Sequence, residues 1–345
     1  MRALVLYKDN EKKFYEVLAK FGEVWAPVKK EDNYVYSKVT DTSKLSLSIT
    51  DSYNRTILPI KKFLMPQEFN MLSCTPDRFV KAPQDIPVRI ALGVHPCDIS
   101  AVNILDVFYS KDFVDPFYKE RREKLIIIGS ICKPDEHCFC NETKTVIVEE
   151  GFDLFFNDLG DYFLVWIGSG KGYDIIREAG DIFEEKISEK VVDNFIKQKR
   201  EGENCFTNDI SLVGIMDLME LKYNANFWEE LGEKCLGCGQ CTMVCPTCTC
   251  FNVIDDLDLN KESGKRRRYW DSCMFKDYSL CAGGHNFRKN RGDRLKLWYT
   301  HKLKAFIGHF GSPSCVGCGR CLVTCPVDIN IKTVVKKLNQ EVTIK

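Results

Sequence analysis

The sequence predicts an α/β N-terminal domain followed by a mainly α-helical C-terminal domain, and three observations predict it. Two short apolar runs, residues 88–94 and 125–131, flank a helical spacing at Ile99, Val102 and Leu105. A buried strand, a helix and a second buried strand make a parallel pairing. At 197–208 the composition turns polar and charged, KQKREGENCFTN, which reads as a domain boundary. Beyond it one cysteine pattern occurs twice, and the segments around it carry helix-forming and aromatic residues. The predicted domains are 1–200 and 209–345.

Taken in order, residues 4–7 read as a strand. Phe14, Val17, Leu18 and Phe21 repeat at i, i+3, i+4 and i+7, the spacing of an amphipathic helix. Tyr34, Tyr36 and Val39, then residues 45–49, suggest short strands with alternating faces. After the parallel unit, 162–167 is another strand, and Ile182, Phe183, Ile187, Val191 and Phe195 form one helix face. Between them lie Gly168, Gly170 and Gly172. A dinucleotide fingerprint needs G-x-G-x-x-G, and position 173 is Tyr, so a tight turn is the expectation.

The repeated pattern is C-x2-C-x2-C-x3-C-P. It runs through Cys235, Cys238, Cys241 and Cys245 before Pro246, and through Cys315, Cys318, Cys321 and Cys325 before Pro326. This is the ligand run of a two-cluster ferredoxin, in which the fourth cysteine of each run serves the other cluster. One 4Fe-4S cluster would take Cys235, Cys238, Cys241 and Cys325. The other would take Cys315, Cys318, Cys321 and Cys245. Gly237, Gly239, Gly317 and Gly319 let the backbone pass close to the cubane. Structural zinc, which pairs two CxxC knuckles across a longer gap, fits this spacing poorly. The long stretch between the motifs suggests a helical dicluster domain, and residues 322–338 carry enough periodic apolar positions for helices.

Composition narrows the function classes. The 345 residues hold 18 cysteines, grouped in metal-type clusters, which suits a reducing compartment. Lys plus Arg and Asp plus Glu are 49 each, so no net charge draws the chain to nucleic acid or an anionic membrane. The run Lys265, Arg266, Arg267 and Arg268 reads first as a solvated loop, with a docking patch for an acidic partner as the alternative; nucleic-acid binding comes last, because no second basic patch joins it. The start shows no signal-peptide pattern and no apolar run reaches membrane-spanning length, so the expectation is a soluble cytoplasmic protein. No Walker sequence, catalytic triad or carboxylate pair can be argued from spacing, so no catalytic residue is assigned.

Four more cysteines gather around the parallel strands. Cys97 follows the first in GVHPCD, and Cys132, Cys138 and Cys140 follow the second in ICKPDEHCFC. Adjacent parallel strands put their C-terminal ends together, so these thiols can meet at one edge. A third 4Fe-4S cluster is one reading; a metal-free thiol pocket and zinc stay open. Cys248, Cys250 and Cys273 read as packing near the clusters, with a further metal site that includes His285 as the alternative. His137 is expected to be a solvated loop residue and His285 a structural one. Cys74, Cys205 and Cys281 receive no role.

The segments YNRTILPIKKF, GVHPCDI, PDEHCFCN, GFDLFFNDLGDYFLV, CPTCTC, RRRYWDSCM, AGGHNFR and CVGCGRCLVTCPVDINI resemble the beta subunit of cytosolic sulfhydrogenases, nickel–iron hydrogenases of anaerobes. More distantly, the cysteine motifs and the RRRYWDSCM and AGGHNFR segments resemble the electron-transfer subunit of anaerobic sulfite reductase. The first resemblance implies an electron-transfer role. The chain would pass electrons between the hydrogenase small and large subunits and a flavin-bearing, NAD(P)-linked reductase subunit, with no chemistry of its own. It also implies that the eight motif cysteines are cluster ligands, that Cys97, Cys132, Cys138 and Cys140 match the family's N-terminal cysteines, and that Cys248, Cys250 and Cys273 fall at family-like positions. Cys281 departs from the pattern. The second resemblance implies the same wiring role in a sulfite or sulfur reductase.

Overall fold

A computed structural model describes residues 2–41, 45–46, 55–203, 205–207, 210–259, 262–311 and 313–340. The strand anticipated at 45–49 therefore lies mostly outside the described residues. The strands, in chain order, are β1 Arg2–Tyr7, β2 Glu23–Lys30, β3 Asn33–Lys38, β4 Glu68–Thr75, β5 Arg78–Lys81, β6 Arg89–Val94, β7 Leu125–Ser130, β8 Leu154–Asp158, β9 Tyr162–Ile167, β10 Phe183–Glu184, β11 Phe251–Leu257 and β12 Gly264–Trp270. The chain divides into two compact units: 1–64 with 86–209 and 316–318, and 65–85 with 210–315 and 319–345.

The first unit is an α/β unit around an eight-stranded sheet in the order β10-β1-β9-β8-β7-β6-β2-β3. β2, β6, β7 and β8 are parallel, and the outer pairings are antiparallel. The anticipated β6–β7 pairing runs from Arg89 opposite Leu125 to Val94 opposite Gly129. Every residue of β7 is buried, as an interior parallel strand with both faces covered requires. One face carries Leu4, Leu6, Ile90, Leu92, Ile126, Ile128, Phe156 and Phe163, packed with Phe14 and Leu18 of the helix Glu11–Phe21 and Ile175 of the helix Gly170–Ala179. The side chains of β1 alternate, so Val5 faces the other way, toward Val191 of the helix Glu189–Glu203.

Two local expectations need correction. Ile182 and Phe183 do not open a helix: a 3-10 turn ends at Ile182, Phe183 begins β10 beside β1, and the helix starts at Glu189. The edge strand recruits an apolar residue that helical periodicity also fits. The three glycines form more than a turn, because the helix Gly170–Ala179 starts there. Ser169 caps it by accepting the Gly172 amide at 3.1 Å and donating to Asp153 Oδ1 at 2.5 Å. A side chain at Gly172 would meet the Asp153 carbonyl, so glycine there serves close packing.

The second unit contains short helices and a sheet that the helical expectation leaves out. That sheet is antiparallel, in the order β11-β12-β4-β5. It draws β4 and β5 from early in the chain to pair with the hairpin between the two cysteine motifs. The basic run is strand, not loop. Arg266 forms a two-pronged ion pair with Asp255 at 2.7 and 2.8 Å, Arg267 pairs with Asp256 and Glu68, and Arg268 stacks 3.7 Å from the Phe251 ring centroid. Arg266 and Arg267 thus find carboxylates within their own sheet, and Arg268 stacks on an aromatic ring. The helices Phe227–Lys234 and Arg291–Thr300 cross where Gly232 meets Gly292, too close for any side chain. Among the described residues no helix is long and apolar enough to cross a membrane.

Candidate metal centre

Both cysteine motifs take one backbone form. Gly237 and Gly317 have φ of 66° and 63°, Gly239 and Gly319 have 76° and 73°, a left-handed region that glycine enters without penalty. Each second glycine opens a short helix, Gln240–Met243 or Arg320–Thr324, that carries the third cysteine. Cys235 ends the helix Phe227–Lys234, its amide donating to Leu231 O at 3.0 Å. The loops also turn backbone donors toward sulfur: the Gly237 amide lies 3.3 Å from Cys235 Sγ and the Ile329 amide 3.2 Å from Cys325 Sγ.

The structure brings Cys235, Cys238, Cys241 and Cys325 together across the two motifs. Burial pushes the Cys241 thiol up to about 12, and the neighbouring charges of Cys235, Cys245, Cys325 and Cys238 push the same way. Such thiols stay protonated unless a cation offsets the charge. Beside them the Tyr299 hydroxyl is wholly buried, near Cys321, Cys241, Cys325 and Cys235, with no hydrogen-bond partner among the described residues. The Ser314 hydroxyl, just before Cys315, is likewise buried and unpartnered there. A buried donor beside grouped thiolates, as Tyr299 is, is what a sulfide-rich cluster satisfies. The residues fit cubane clusters. A single zinc ion needs its thiolates about 2.3 Å from one point, and among the described residues no three Cys, His, Asp or Glu side chains are grouped to hold one ion.

Of the second predicted set, Cys245, Cys315 and Cys321 fall in the second unit and Cys318 in the first. Cys245, Cys315 and Cys248 surround the buried ammonium of Lys302. Burial works against that charge, but the three sulfurs outweigh it and raise the lysine above its ordinary range. Lys302 also donates to Thr247 Oγ1 at 2.8 Å, which lies 3.3 Å from Cys245 Sγ and donates to the Ser314 carbonyl. Nothing in the spacing of the motifs pointed to Lys302. Its neighbour His301 is pushed down to about 4 by burial and by this ammonium.

The N-terminal cysteines converge as the parallel strands require. β6 ends in a register shift at Gly93, and Pro96 at the first turn starts the helix Pro96–Phe108 that holds Cys97. Cys97, Cys132 and Cys140 line a cavity of about 430 Å³ with Phe152, Phe155 and Trp166. Burial raises all of their thiols, Cys132 to about 12, and each of the three feels others of the four. Cys138 stands beside them, 3.2 Å from the Arg55 guanidinium, which also pairs with Asp135. Asp135 in turn accepts the amides of His137 and Cys138 at 3.0 and 3.2 Å. Arg55 lies in the YNRTILPIKKF segment, but nothing in the spacing there pointed to Cys138. His137 itself is partly exposed beside Glu136.

Within the same unit, residues 316–318 of the second motif lie against this loop. Phe139 donates to Gly317 O at 2.9 Å and Thr145 to Val316 O at 2.7 Å. A Cβ on Gly317 would stand 2.5 Å from the Cys140 backbone. Cys318 packs against the group of Cys97, Cys138 and Cys140.

Cys250 and Cys273 touch, Cys248 lies near Cys273, and Tyr278 joins Cys250. His285 is exposed and takes its ring contact from Phe287 at 4.5 Å.

Residues 234–329 match a family described as a 4Fe-4S dicluster domain. No solved structure matches the chain. Sulfhydrogenase 2 subunit beta of Pyrococcus furiosus is 36% identical over 329 residues, 95% of this chain and 96% of that protein. With the twin cysteine loops inside the matched dicluster stretch and that identity running nearly end to end, the chain belongs to the sulfhydrogenase beta-subunit family.

Proposed function

We propose that this chain is the iron–sulfur electron-transfer subunit of a nickel–iron hydrogenase complex. It carries electrons between the hydrogenase small and large subunits and a flavin- and NAD(P)-linked reductase subunit, and the bond chemistry belongs to those partners. The observation that carries the reading is the pair of matching left-handed loops that gather Cys235, Cys238, Cys241 and Cys325 from both motifs. Those four residues hold one cluster in this reading; Cys315, Cys318, Cys321 and Cys245 hold the second. A bound 4Fe-4S cluster supplies one-electron transfer at a potential set by its surroundings.

The chain's own residues set those surroundings. Gly237 and Ile329 turn amides toward ligand sulfurs, and Lys302 places a cation among Cys245, Cys248 and Cys315. Both devices favour the more negative, reduced state of a nearby centre. In the first unit, Cys97, Cys132, Cys138 and Cys140 hold a third cluster in this reading. What supports it is the shared cavity, the Arg55 cation beside Cys138, and the seat of Cys318 against the same thiols. A centre there would stand next to a ligand of the second cluster, as a wire needs.

Cys238→Ser in the intact complex is the test. NAD(P)-linked hydrogen turnover is expected to fall about tenfold or more, while hydrogen uptake with a dye that accepts from the hydrogenase subunits persists. Undiminished NAD(P)-linked turnover in a variant that has lost iron contradicts the wire.

A further inference from the structure

Cys248, Cys250 and Cys273, in the second unit, take no part in the proposed cluster ligation. Two of them are in mutual contact. β11 and β12 pair until Phe251 stands opposite Trp270, and just beyond, the Asp271 amide donates to Cys250 O at 3.1 Å. This brings Cys273, two residues on, beside Cys250, and their side chains are hydrogen-bonded. The Tyr278 hydroxyl also bonds Cys250, and the Lys302 ammonium bears on it. The contact with Cys273 and Tyr278 lowers the Cys250 thiol, to about 6, and raises that of Cys273. A thiolate against a protonated thiol is the reactive form of a dithiol.

The position of the pair matters as much as its chemistry. Cys273 feels the charge of Cys241, a proposed ligand of the first cluster. Lys302, which bears on Cys250, is also ringed by Cys245 and Cys315 of the second set. The dithiol therefore sits beside residues of both sets.

We propose that Cys250 and Cys273 form a redox-active dithiol that exchanges two electrons with the two clusters, one with each. The step balances: the Cys250 thiolate and the Cys273 thiol join as a disulfide, the S–H proton of Cys273 leaves to solvent, and two electrons leave, one to each oxidised cluster. The reverse step takes one electron from each reduced cluster and one proton from solvent. The pair stores two electrons beside a one-electron wire. The inference rests on the dicluster reading for its electron acceptors.

Anaerobic holo-protein, poised at a series of potentials, acid-quenched and alkylated with iodoacetamide, tests it by mass spectrometry. A Cys250–Cys273 linked peptide is expected to appear as the potential rises, with the slope of a two-electron couple. Reductive titration is expected to take up two electrons more per chain than in Cys250→Ser or Cys273→Ser, with iron content unchanged in both. Thiols that stay free to alkylate at every potential overturn the proposal, and this wild-type measurement stands even where a variant fails to fold. Loss of iron in a folded variant also overturns it, by making the residue a metal ligand. Failure of the dicluster reading shows separately, as preparations without cluster iron.

Discussion

A lysine ammonium held among three sulfurs acts on them in two ways: it steadies their negative charge, and it eases the arrival of an electron nearby. Lys302 is buried beside Cys245, Cys248 and Cys315, and screening there is weak. Lys302→Met is expected to lower the potential of one cluster by on the order of 60 mV, a tenfold shift in a one-electron equilibrium. Redox titration followed by electron paramagnetic resonance reads this, and an unmoved potential contradicts it. Cys250 offers a pH test. The Cys273 hydrogen bond first, then Tyr278, hold it as a thiolate down to about 6, whereas an unfolded cysteine titrates at about 8.5. A depressed pKa favours the folded state in full above the unfolded value, and that contribution fades as pH falls toward 6. Alkylation of Cys250 is expected to reach half its maximal rate near pH 6, and a midpoint in the ordinary thiol range refutes the assignment. Lys302 does not stand out in the sequence, where it is one lysine among many, and the sequence marks Cys250 without pairing it to Cys273.

The element that decides most is the loop 316–318. Its Gly317 is left-handed and seated on the Cys140 backbone, so it combines two demands that only glycine meets. Gly317→Ala is expected to cost about 2 kcal/mol from the left-handed backbone alone, with more from the clash. Gly170→Ala, whose methyl meets nothing within 4 Å, is the matched control. Thermal unfolding that leaves the two variants equal rules out the seat. The parallel unit was legible in the sequence, because β6 and β7 are short, largely apolar and separated by a helix-length spacing. The four-stranded sheet was not. β5 is exposed throughout and β11 almost so, so neither shows the alternation that betrays a half-buried strand. β4 also finds β12 across nearly two hundred residues of chain, a pairing that no local window contains.

At the scale of the whole molecule, the two units are expected to depend on metal to different degrees. The first has a large apolar core around its sheet, whereas the second arranges short helices around cysteine loops. Metal sites of that kind contribute folding energy directly. Iron chelation under reducing, anaerobic conditions is expected to expose the amides around 235–245 and 319–325 to hydrogen exchange while β6 and β7 stay protected; uniform loss of protection contradicts this division. What the sequence by itself determined is the local chemistry: the two cysteine runs with their glycines, the parallel strand–helix–strand unit, and the four N-terminal thiols at its edge. These depend on covalent spacing and short-range periodicity, which one chain segment contains. Only the tertiary structure decided that Arg55 faces Cys138, that Gly317 rests on Cys140, that Lys302 sits among three sulfurs and that Cys250 meets Cys273. Each of those contacts joins segments distant along the chain, and their meeting is set by how whole elements pack.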